Sequence, residues 1–170
     1  SGGKTPIPLY KKIRNLSLNW EGVSLIISDE RDVKMNHKLS NEGSIRKLLG
    51  FNNNSKTIIG LRDKRSQKII KGIREYDLSI LGMGIDGHFA SIFPNSRNLE
   101  ESLNTHKSIV YINDGYPDVP RYTLSLNEIL KSKKIILLVS NTEKYKLINT
   151  KRSKKELLPI DYLIQKAMHK

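Results

Sequence analysis

Residues 78–94 read LSILGMGIDGHFASIFP and combine a short apolar run with three closely spaced glycines. The apolar run predicts a β-strand that ends at residue 81. The glycines at positions 82, 84 and 87 indicate close approach of the backbone to a ligand at the end of that strand. Asp86 and His88 are the titratable side chains of the loop. An imidazole titrates near neutral pH, so His88 is suited to general acid–base chemistry, with Asp86 as its support.

Outside this stretch, predicted strands alternate with predicted helices. Thr5 is a candidate cap for the first helix, with Pro6 at its first position, and Ser40 or Asn41 for the second. The predicted strands cover residues 23–27, 56–61, 77–81, 108–112, 122–126 and 134–139. The predicted helices begin near Thr5 and cover 41–49, 63–75, 126–131, 142–149 and 160–168, and a turn is predicted at 52–54.

This alternation predicts an α/β fold, Rossmann-like, with three layers and a largely parallel sheet. The segment 135–139 is apolar at every position, as expected for a strand covered on both faces. The 170 residues contain no internal repeat, and we expect a single domain over residues 1–170.

Composition excludes several classes of protein. The chain has no cysteine, which excludes a disulfide framework and thiolate metal sites and fits a cytoplasmic location. It has no apolar run of about 18 residues, so we expect no transmembrane helix and no membrane partner. Residues 1–12 lack the apolar core and cleavage site of a signal peptide.

The net charge of +13 raises the question of nucleic-acid binding. The basic residues are spread along the chain, however, and the densest cluster, residues 151–155, has no interleaved aromatic residue for base stacking. We therefore expect that cluster to be a solvated face or a mobile loop. Nucleic acid is disfavoured as a partner, whereas the positive field would attract a phosphorylated substrate.

Four unusual loops are expected at one rim of the sheet. In open α/β sheets, ligands bind beyond the carboxyl ends of the strands. Loops at 29–31, 82–91 and 140–144 follow predicted strands, and residues 1–3 precede a helix as if they too followed a strand. The sequence therefore predicts one site that is built from all four.

Each loop offers groups for binding or catalysis. Ser1, Gly2, Gly3 and Thr5 form a candidate anion site at a helix N-terminus, although an ordinary capped loop is the simpler alternative. Arg31 can present its planar guanidinium to a phosphate or carboxylate, and Asp29 can orient that group or act as a base. Either could instead belong to a solvated turn.

Two further basic residues belong to the predicted rim, and three rival site types fit the sequence poorly. Arg121 and Lys144 are candidate ligand contacts at the same rim. Gly3-Lys4-Thr5 matches the tail of a phosphate-binding P-loop, but Pro6 and Pro8 fit it poorly and an ATPase gives no reason for the His88 loop. No second histidine or cysteine lies at metal-ligand spacing from His88, and Ser91 is not in a nucleophile elbow.

Taken together, these segments resemble the 6-phosphogluconolactonases. The resemblance runs from residue 1 to about residue 160, and its most specific part is the glycine motif at 82–94. The matching segments are Ser1-Gly2-Gly3-x-Thr5-Pro6, Asp29-Glu30-Arg31, Gly82-Met83-Gly84-x-Asp86-Gly87-His88-x-Ala90-Ser91-x-Phe93-Pro94, Arg121-x-Thr123-Leu124-Ser125-Leu126 and Glu143-Lys144.

The resemblance implies hydrolysis of 6-phosphoglucono-δ-lactone to 6-phosphogluconate in the pentose phosphate pathway, with no metal or organic cofactor. It implies His88 as the base that activates water, with Asp86 and Arg31 as further catalytic candidates. Arg31 or the backbone N–H groups of residues 84–88 would bind the oxyanion. The implied substrate-binding residues are Ser1, Gly2, Gly3, Thr5, Asp29, Gly84, Gly87, Arg121 and Lys144, and the protein is expected as a monomer or homodimer.

The sequence departs from that family at several points. The family has a helix and a strand before its SGG loop and a final strand at its C-terminus, and the chain resembles a version that lacks them. Phe89 stands where a small polar residue is common. The related glucosamine-6-phosphate deaminases share the SGG loop but usually have tyrosine in place of Arg31. An amino-sugar-phosphate isomerase or deaminase with Asp29 as base, and a non-catalytic sugar-phosphate-binding relative, remain alternatives.

Overall fold

The computed structural model describes residues 1–52 and 55–169 and has a mixed α/β fold. The helices are α1 (Ile7–Arg14), α2 (Asn41–Leu49), α3 (Lys64–Gly72), α4 (Leu99–Asn104), α5 (Leu126–Ile129), α6 (Thr142–Asn149) and α7 (Pro159–Met168). The strands are β1 (Leu25–Ile26), β2 (Asp29–Arg31), β3 (Ile58–Ile59), β4 (Ser79–Gly82), β5 (Ile109–Ile112), β6 (Arg121–Leu124) and β7 (Ile135–Leu138). The predicted turn at 52–54 extends beyond the described residues.

The sheet structure corrects the prediction of a largely parallel sheet. Strands β1 and β3 form one parallel pair, and β4 and β7 form another. The three-stranded sheet, in the order β2-β6-β5, is antiparallel throughout. Residues 29–31, expected as a charged loop, are a strand because they pair with residues 121–123 of β6. The three-layer arrangement stays a prediction.

Local capping signals explain where several helices begin. Ser40 caps α2 through its side chain, which accepts from the N–H of Gly43 at 3.0 Å. Asn141 does the same for α6 by accepting from Lys144 at 2.9 Å. The predicted Thr5 cap of α1 is wrong, because the helix begins after Pro6 and has no side-chain cap. The Thr5 hydroxyl instead lies 3.4 Å from the hydroxyl of Ser140.

Two apolar clusters hold these elements together. The larger joins the strand and loop around residues 81–92 to α5 and α7, and its fully buried members include Leu81, Phe89 and Ile160. Phe89, which stands where the resemblance predicts a small polar residue, is 0% exposed and so serves as a core side chain. The smaller cluster packs α1 and α2 on β1 and β3. The strand β7 is only half-buried at each position, although complete burial is expected from its sequence.

The basic cluster at 151–155 is a solvated face, as predicted, apart from one arginine. Arg152 forms a buried ion pair with Asp161, in which Nη1 lies 2.9 Å from Oδ1. Its Nη2 also donates to the carbonyl of Leu147 at 2.8 Å, which ties α6 to α7. The other basic residues of the cluster are exposed. Within the described ranges, no helix is long and apolar enough to cross a membrane.

Candidate active site

Residues 1–5 form a loop that leads into α1 and leaves its backbone donors free. The N–H groups of residues 2–5 donate to no protein acceptor within the described parts of the chain. Gly3 has φ of +85°, a left-handed conformation that glycine adopts without strain. The hydroxyl of Ser1 accepts from the N–H of Gly82 at 2.9 Å, which fixes the loop to the end of β4. Unpaired donors beside a helix N-terminus favour an anion.

A cavity of about 220 Å³ opens over this loop and brings the four predicted rim segments together. Its lining is rich in cations, since Lys4, Arg31 and Lys144 face one buried carboxylate, Asp29. A concave surface with this charge balance attracts anions. The remaining lining residues are Ser1, Gly2, Gly3, Thr5, Asn41, Gly82, Met83, His88 and Ala90.

The loop after β4 holds His88 and Asp86 in contact. Nδ1 of His88 lies 2.6 Å from Oδ1 of Asp86, and the side chains are 32% and 46% exposed. Partial burial raises the pKa of Asp86, but the hydrogen bond and charge of His88 outweigh it and lower that pKa overall. A carboxylate accepts from Nδ1–H, so the proton is assigned to Nδ1 and Nε2 is left as the basic nitrogen.

A second cavity, of about 550 Å³, is lined by both members of this pair. Its wall is largely apolar, with Ile85, Phe93 and Tyr116 among its side chains. His88 lines both cavities, whereas Asp86 lines only the second. The centroid of the imidazole lies 4.6 Å from that of Phe93, another residue of the second cavity.

The glycines of the loop serve packing within the protein. A Cβ at Gly84 would overlap the His88 ring and the Asp86 carboxylate, so Gly84 makes room for their contact. Gly87 has φ of +78°, and a Cβ there would lie 2.9 Å from side-chain atoms of Leu158. Gly87 lines neither cavity and its carbonyl accepts from Ile160 N–H at 3.0 Å. Gly87 therefore packs against the start of α7, and its contact with a ligand stays a prediction.

Most backbone donors of the loop are already used. Gly84 N–H donates to the carbonyl of His88 at 2.9 Å, and Gly87 N–H donates to the carbonyl of Gly84 at 3.2 Å. The N–H of His88 lies 3.3 Å from Oδ1 of Asp86. These groups are therefore poor candidates for the oxyanion donors that the sequence suggests, and Arg31 is the better of the two predicted sources.

Asp29 has a different environment from Asp86. It is 6% exposed, and its carboxylate accepts from Ser91 Oγ at 2.9 Å, from Ser28 Oγ at 3.1 Å and from Asn41 Nδ2 at 3.2 Å. Three donors on one buried carboxylate hold it in a fixed orientation. Ser91, rejected as a nucleophile on sequence grounds, is thus a donor to Asp29.

Arg121 is buried and lines neither cavity. It is 1% exposed, and its guanidinium donates to the carbonyls of Val119 at 3.1 Å and Pro117. Its Cζ lies 5.1 Å from the ring centroid of Phe93. Burial and the charge of Arg31 lower the pKa of Arg121. Arg121 thus holds the loop that precedes β6, and its substrate contact stays a prediction.

Asn41 is the site residue that sequence reasoning missed. The sequence marks it only as a possible helix cap, yet the structure places its side chain, 4% exposed, in the cavity wall between Asp29 and Arg31. The one available signal is its position directly after the cap Ser40 on a helix that follows β2. No group of three or more side chains suited to a metal ion occurs within residues 1–52 and 55–169.

Known proteins of one family are similar to this chain. Residues 1–169 match the family model described as glucosamine-6-phosphate isomerases/6-phosphogluconolactonase. A 6-phosphogluconolactonase of Caulobacter vibrioides is 31% identical over 88% of this chain and 70% of its own length. One from Helicobacter pylori is 30% identical over 99% of this chain and 77% of its own.

Solved structures give the same result. The crystal structure of a 6-phosphogluconolactonase from Shewanella baltica superposes with a TM-score of 0.84 at 30% identity, covering 96% of this chain and 76% of that one. The enzyme from Thermotoga maritima gives a TM-score of 0.77 at 28% identity, covering 95% and 77% of the two chains.

Proposed function

Because the chain belongs to the glucosamine-6-phosphate isomerase/6-phosphogluconolactonase family, we propose that it hydrolyses 6-phosphoglucono-δ-lactone to 6-phosphogluconate, a step of the pentose phosphate pathway. The observation that carries the proposal is the 2.6 Å contact of His88 with Asp86 at the edge of a cation-lined cavity. A base beside an anion site fits hydrolysis of a phosphorylated lactone.

The phosphate is assigned to the cavity over residues 1–5. Free backbone N–H groups at a helix N-terminus bind phosphate, and Lys4 and Lys144 add positive charge. The cavity of about 220 Å³ is smaller than the roughly 300–1,000 Å³ of ordinary ligand sites. A sugar phosphate bound there would extend past His88, where the second cavity begins. The lactone ring would then lie beside the imidazole.

His88 acts as the general base in this proposal. Its Nε2 takes a proton from a water molecule as the water oxygen attacks the lactone carbonyl carbon. Asp86 holds the ring through Nδ1 and stabilises the imidazolium that forms, and its lowered pKa keeps it ionised for that task. Asp86 is accordingly a positioning residue.

Arg31 stabilises the oxyanion of the tetrahedral intermediate. Its Nη2 has no hydrogen-bond partner among the described residues, so it remains available to a ligand in the cavity. When the intermediate collapses, the bond from the carbonyl carbon to the ring oxygen breaks. His88 returns its proton to that oxygen, which leaves a hydroxyl and a carboxylic acid that ionises.

The rival enzyme would use Asp29 as the base in an isomerase or deaminase. The surroundings of Asp29 speak against that role, because three donors occupy its carboxylate and it is 6% exposed. A non-catalytic binding protein would need the cation-lined cavity but would have no need of the His88–Asp86 pair. The cytoplasmic location and the monomeric or homodimeric state remain predictions.

A coupled assay tests the proposal. The purified protein is given 6-phosphoglucono-δ-lactone and, separately, glucosamine-6-phosphate, with a protein-free blank for each. We expect lactone turnover above the blank and no release of ammonia from the amino sugar. Ammonia release would replace the proposal with the deaminase, and binding of 6-phosphogluconate without either turnover would replace it with the non-catalytic relative.

A further inference from the structure

Asn41 is the first residue of α2 and is held rigidly at the cavity wall. Its backbone N–H donates to Oε1 of Glu30 at 2.7 Å, and the next N–H, of Glu42, donates to Oε2 at 2.7 Å. Glu30 is 0% exposed, and Ser40 Oγ donates to it at 2.9 Å. Burial raises the pKa of Glu30, and these donors oppose that shift. The start of α2 is thereby fixed to β2, so the side chain of Asn41 has little freedom to move.

The side-chain amide of Asn41 bridges a hydrogen-bond acceptor, Asp29, and a hydrogen-bond donor, Arg31. Its Nδ2 donates to the carbonyl of Asp29 at 2.8 Å and to Oδ2 of the same residue at 3.2 Å. Its Oδ1 accepts from Nη1 of Arg31. The opposite amide orientation would turn Oδ1 toward two oxygens and Nδ2 toward a guanidinium donor. The partners therefore permit one orientation.

Further contacts connect this amide to the rest of the site. Ser91, on the segment that carries His88, donates to the same carboxylate oxygen of Asp29 as Asn41 does, at 2.9 Å. On the other side, a Cβ at Gly2 would overlap the Asn41 amide, so the loop of residues 1–5, here called the anion loop, packs directly against it. The amide lies where the anion loop, the His88 segment and Arg31 meet.

We infer that Asn41 is a positioning residue that orients Arg31 for the anionic ligand. Its Oδ1, together with the carbonyl of Leu39 at 3.5 Å, engages Nη1 and leaves Nη2 for the cavity. Without that acceptor the long arginine side chain would lose its fixed direction, and a flexible cation binds an anion less tightly than a preorganised one. The inference rests on the proposed function for the identity of the ligand.

A double-mutant cycle tests the inference by calorimetric binding of 6-phosphogluconate, which carries both a phosphate and a carboxylate. The proteins compared are the wild type, Asn41→Ala, Arg31→Ala and the double variant. We expect Asn41→Ala to weaken binding about tenfold, because a hydrogen bond to a charged group is lost. In the Arg31→Ala background, the same substitution should change affinity less than about twofold.

Ser44→Ala is the matched control, because Ser44 lies on the same helix, is exposed and donates to the carbonyl of Ser40 outside the cavity. It should leave the affinity unchanged. Thermal unfolding of each variant checks that it is folded. If Asn41→Ala does not fold, Ser91→Ala takes its place. We expect Ser91→Ala to weaken the binding of 6-phosphogluconate about two- to threefold, and this loss should also disappear in the Arg31→Ala background.

The outcomes separate this inference from the proposed function. Independent, additive losses in an active lactonase would overturn the role of Asn41 and leave the proposed function intact. Non-additive losses in a protein that binds 6-phosphogluconate but does not hydrolyse the lactone would support Asn41 and overturn the function. A wild type that neither binds nor hydrolyses overturns both.

Discussion

The candidate active site contains two carboxylates that differ in burial and in their hydrogen-bond partners. Asp29, at the start of β2, is 6% exposed and accepts from three side chains, whereas Asp86, in the loop after β4, is half exposed and has His88 as its side-chain partner. A carboxylate whose acceptor capacity is filled holds other groups in place. One that has a single imidazole partner can respond to the charge on that imidazole. The difference assigns Asp29 to the scaffold and Asp86 to the reaction.

The largest expected effect is the loss of the base. His88→Ala should lower kcat for lactone hydrolysis by about 10²–10⁴-fold, because the water would have no proton acceptor. Affinity for 6-phosphogluconate should change little. The control is His106→Ala, since His106 is exposed in the connection between α4 and β5. Full activity in His88→Ala would contradict the assignment of Asp86 to the reaction and Asp29 to the scaffold.

A substitution of Asp29 should act on stability. In Asp29→Asn the new NH₂ group would face donors from Ser91, Ser28 or Asn41, so we expect a loss of about 1–3 kcal/mol in the free energy of unfolding. Urea denaturation measures it. Asp32→Asn, three residues along and exposed, should stay within about 0.5 kcal/mol of the wild type. Unchanged stability of Asp29→Asn would contradict its scaffold role.

Two glycines of the loop after β4 are expected to separate effects on catalysis from effects on stability. Gly84→Ala would push the new methyl group into the His88–Asp86 contact, so kcat should fall about tenfold. Gly87→Ala combines a left-handed backbone with a contact on Leu158, so it should cost about 1–3 kcal/mol of stability.

Gly72→Ala is the control for this pair, because a Cβ there meets no atom within 4 Å and the residue lies in α3. Kinetics and urea denaturation of the three variants are measured side by side. If Gly84→Ala and Gly87→Ala change kcat and the free energy of unfolding in the same way, the two glycines do not have separate roles in catalysis and packing.

The smallest expected effect is on acid stability. His88 lowers the pKa of Asp86 in the folded protein, below its ordinary value of 3.8. The folded state therefore binds this proton less readily than the unfolded chain does. The stability that results is present above about pH 4 and is lost as the pH falls through the folded-state pKa.

Urea midpoints between pH 2.5 and 6 test this linkage. Asp86→Asn lacks the titrating group, so its stability should fall less steeply in acid than that of the wild type. The difference should be small, because the carboxylate is 46% exposed and solvent screens it. If the urea midpoints of the two proteins fall equally as the pH is lowered, the coupling between Asp86 and His88 is contradicted.

Local signals in the sequence were sufficient for part of this structure. The cap at Ser40, the bounds of α6 and the strand before the glycine loop all depend on neighbouring residues, and the structure confirms them. The four rim segments also meet at one cavity, as the expected α/β topology implies. Their roles in binding and catalysis remain predictions.

The remaining features depend on contacts between distant parts of the chain. Residues 29–31 pair antiparallel with β6, about 90 positions along the sequence, and no local pattern marks that partner. Arg121 has the positive charge expected of a ligand contact, but its guanidinium donates hydrogen bonds to nearby carbonyls. Gly87 is required by Leu158 and the start of α7, some 70 residues away. Asn41 acquires its place only when α2 is docked on β2.

The central claim, that Asp86 acts through His88, is tested most directly by kcat/KM for lactone hydrolysis in His88→Ala, Asp86→Asn and the double variant. Asp86→Asn alone should lose between about 10- and 10³-fold, because the imidazole loses its orienting partner. The double variant should be within about threefold of His88→Ala, since Asp86 has no further route to the reaction. A double variant slowed by the product of the two separate losses would contradict the account.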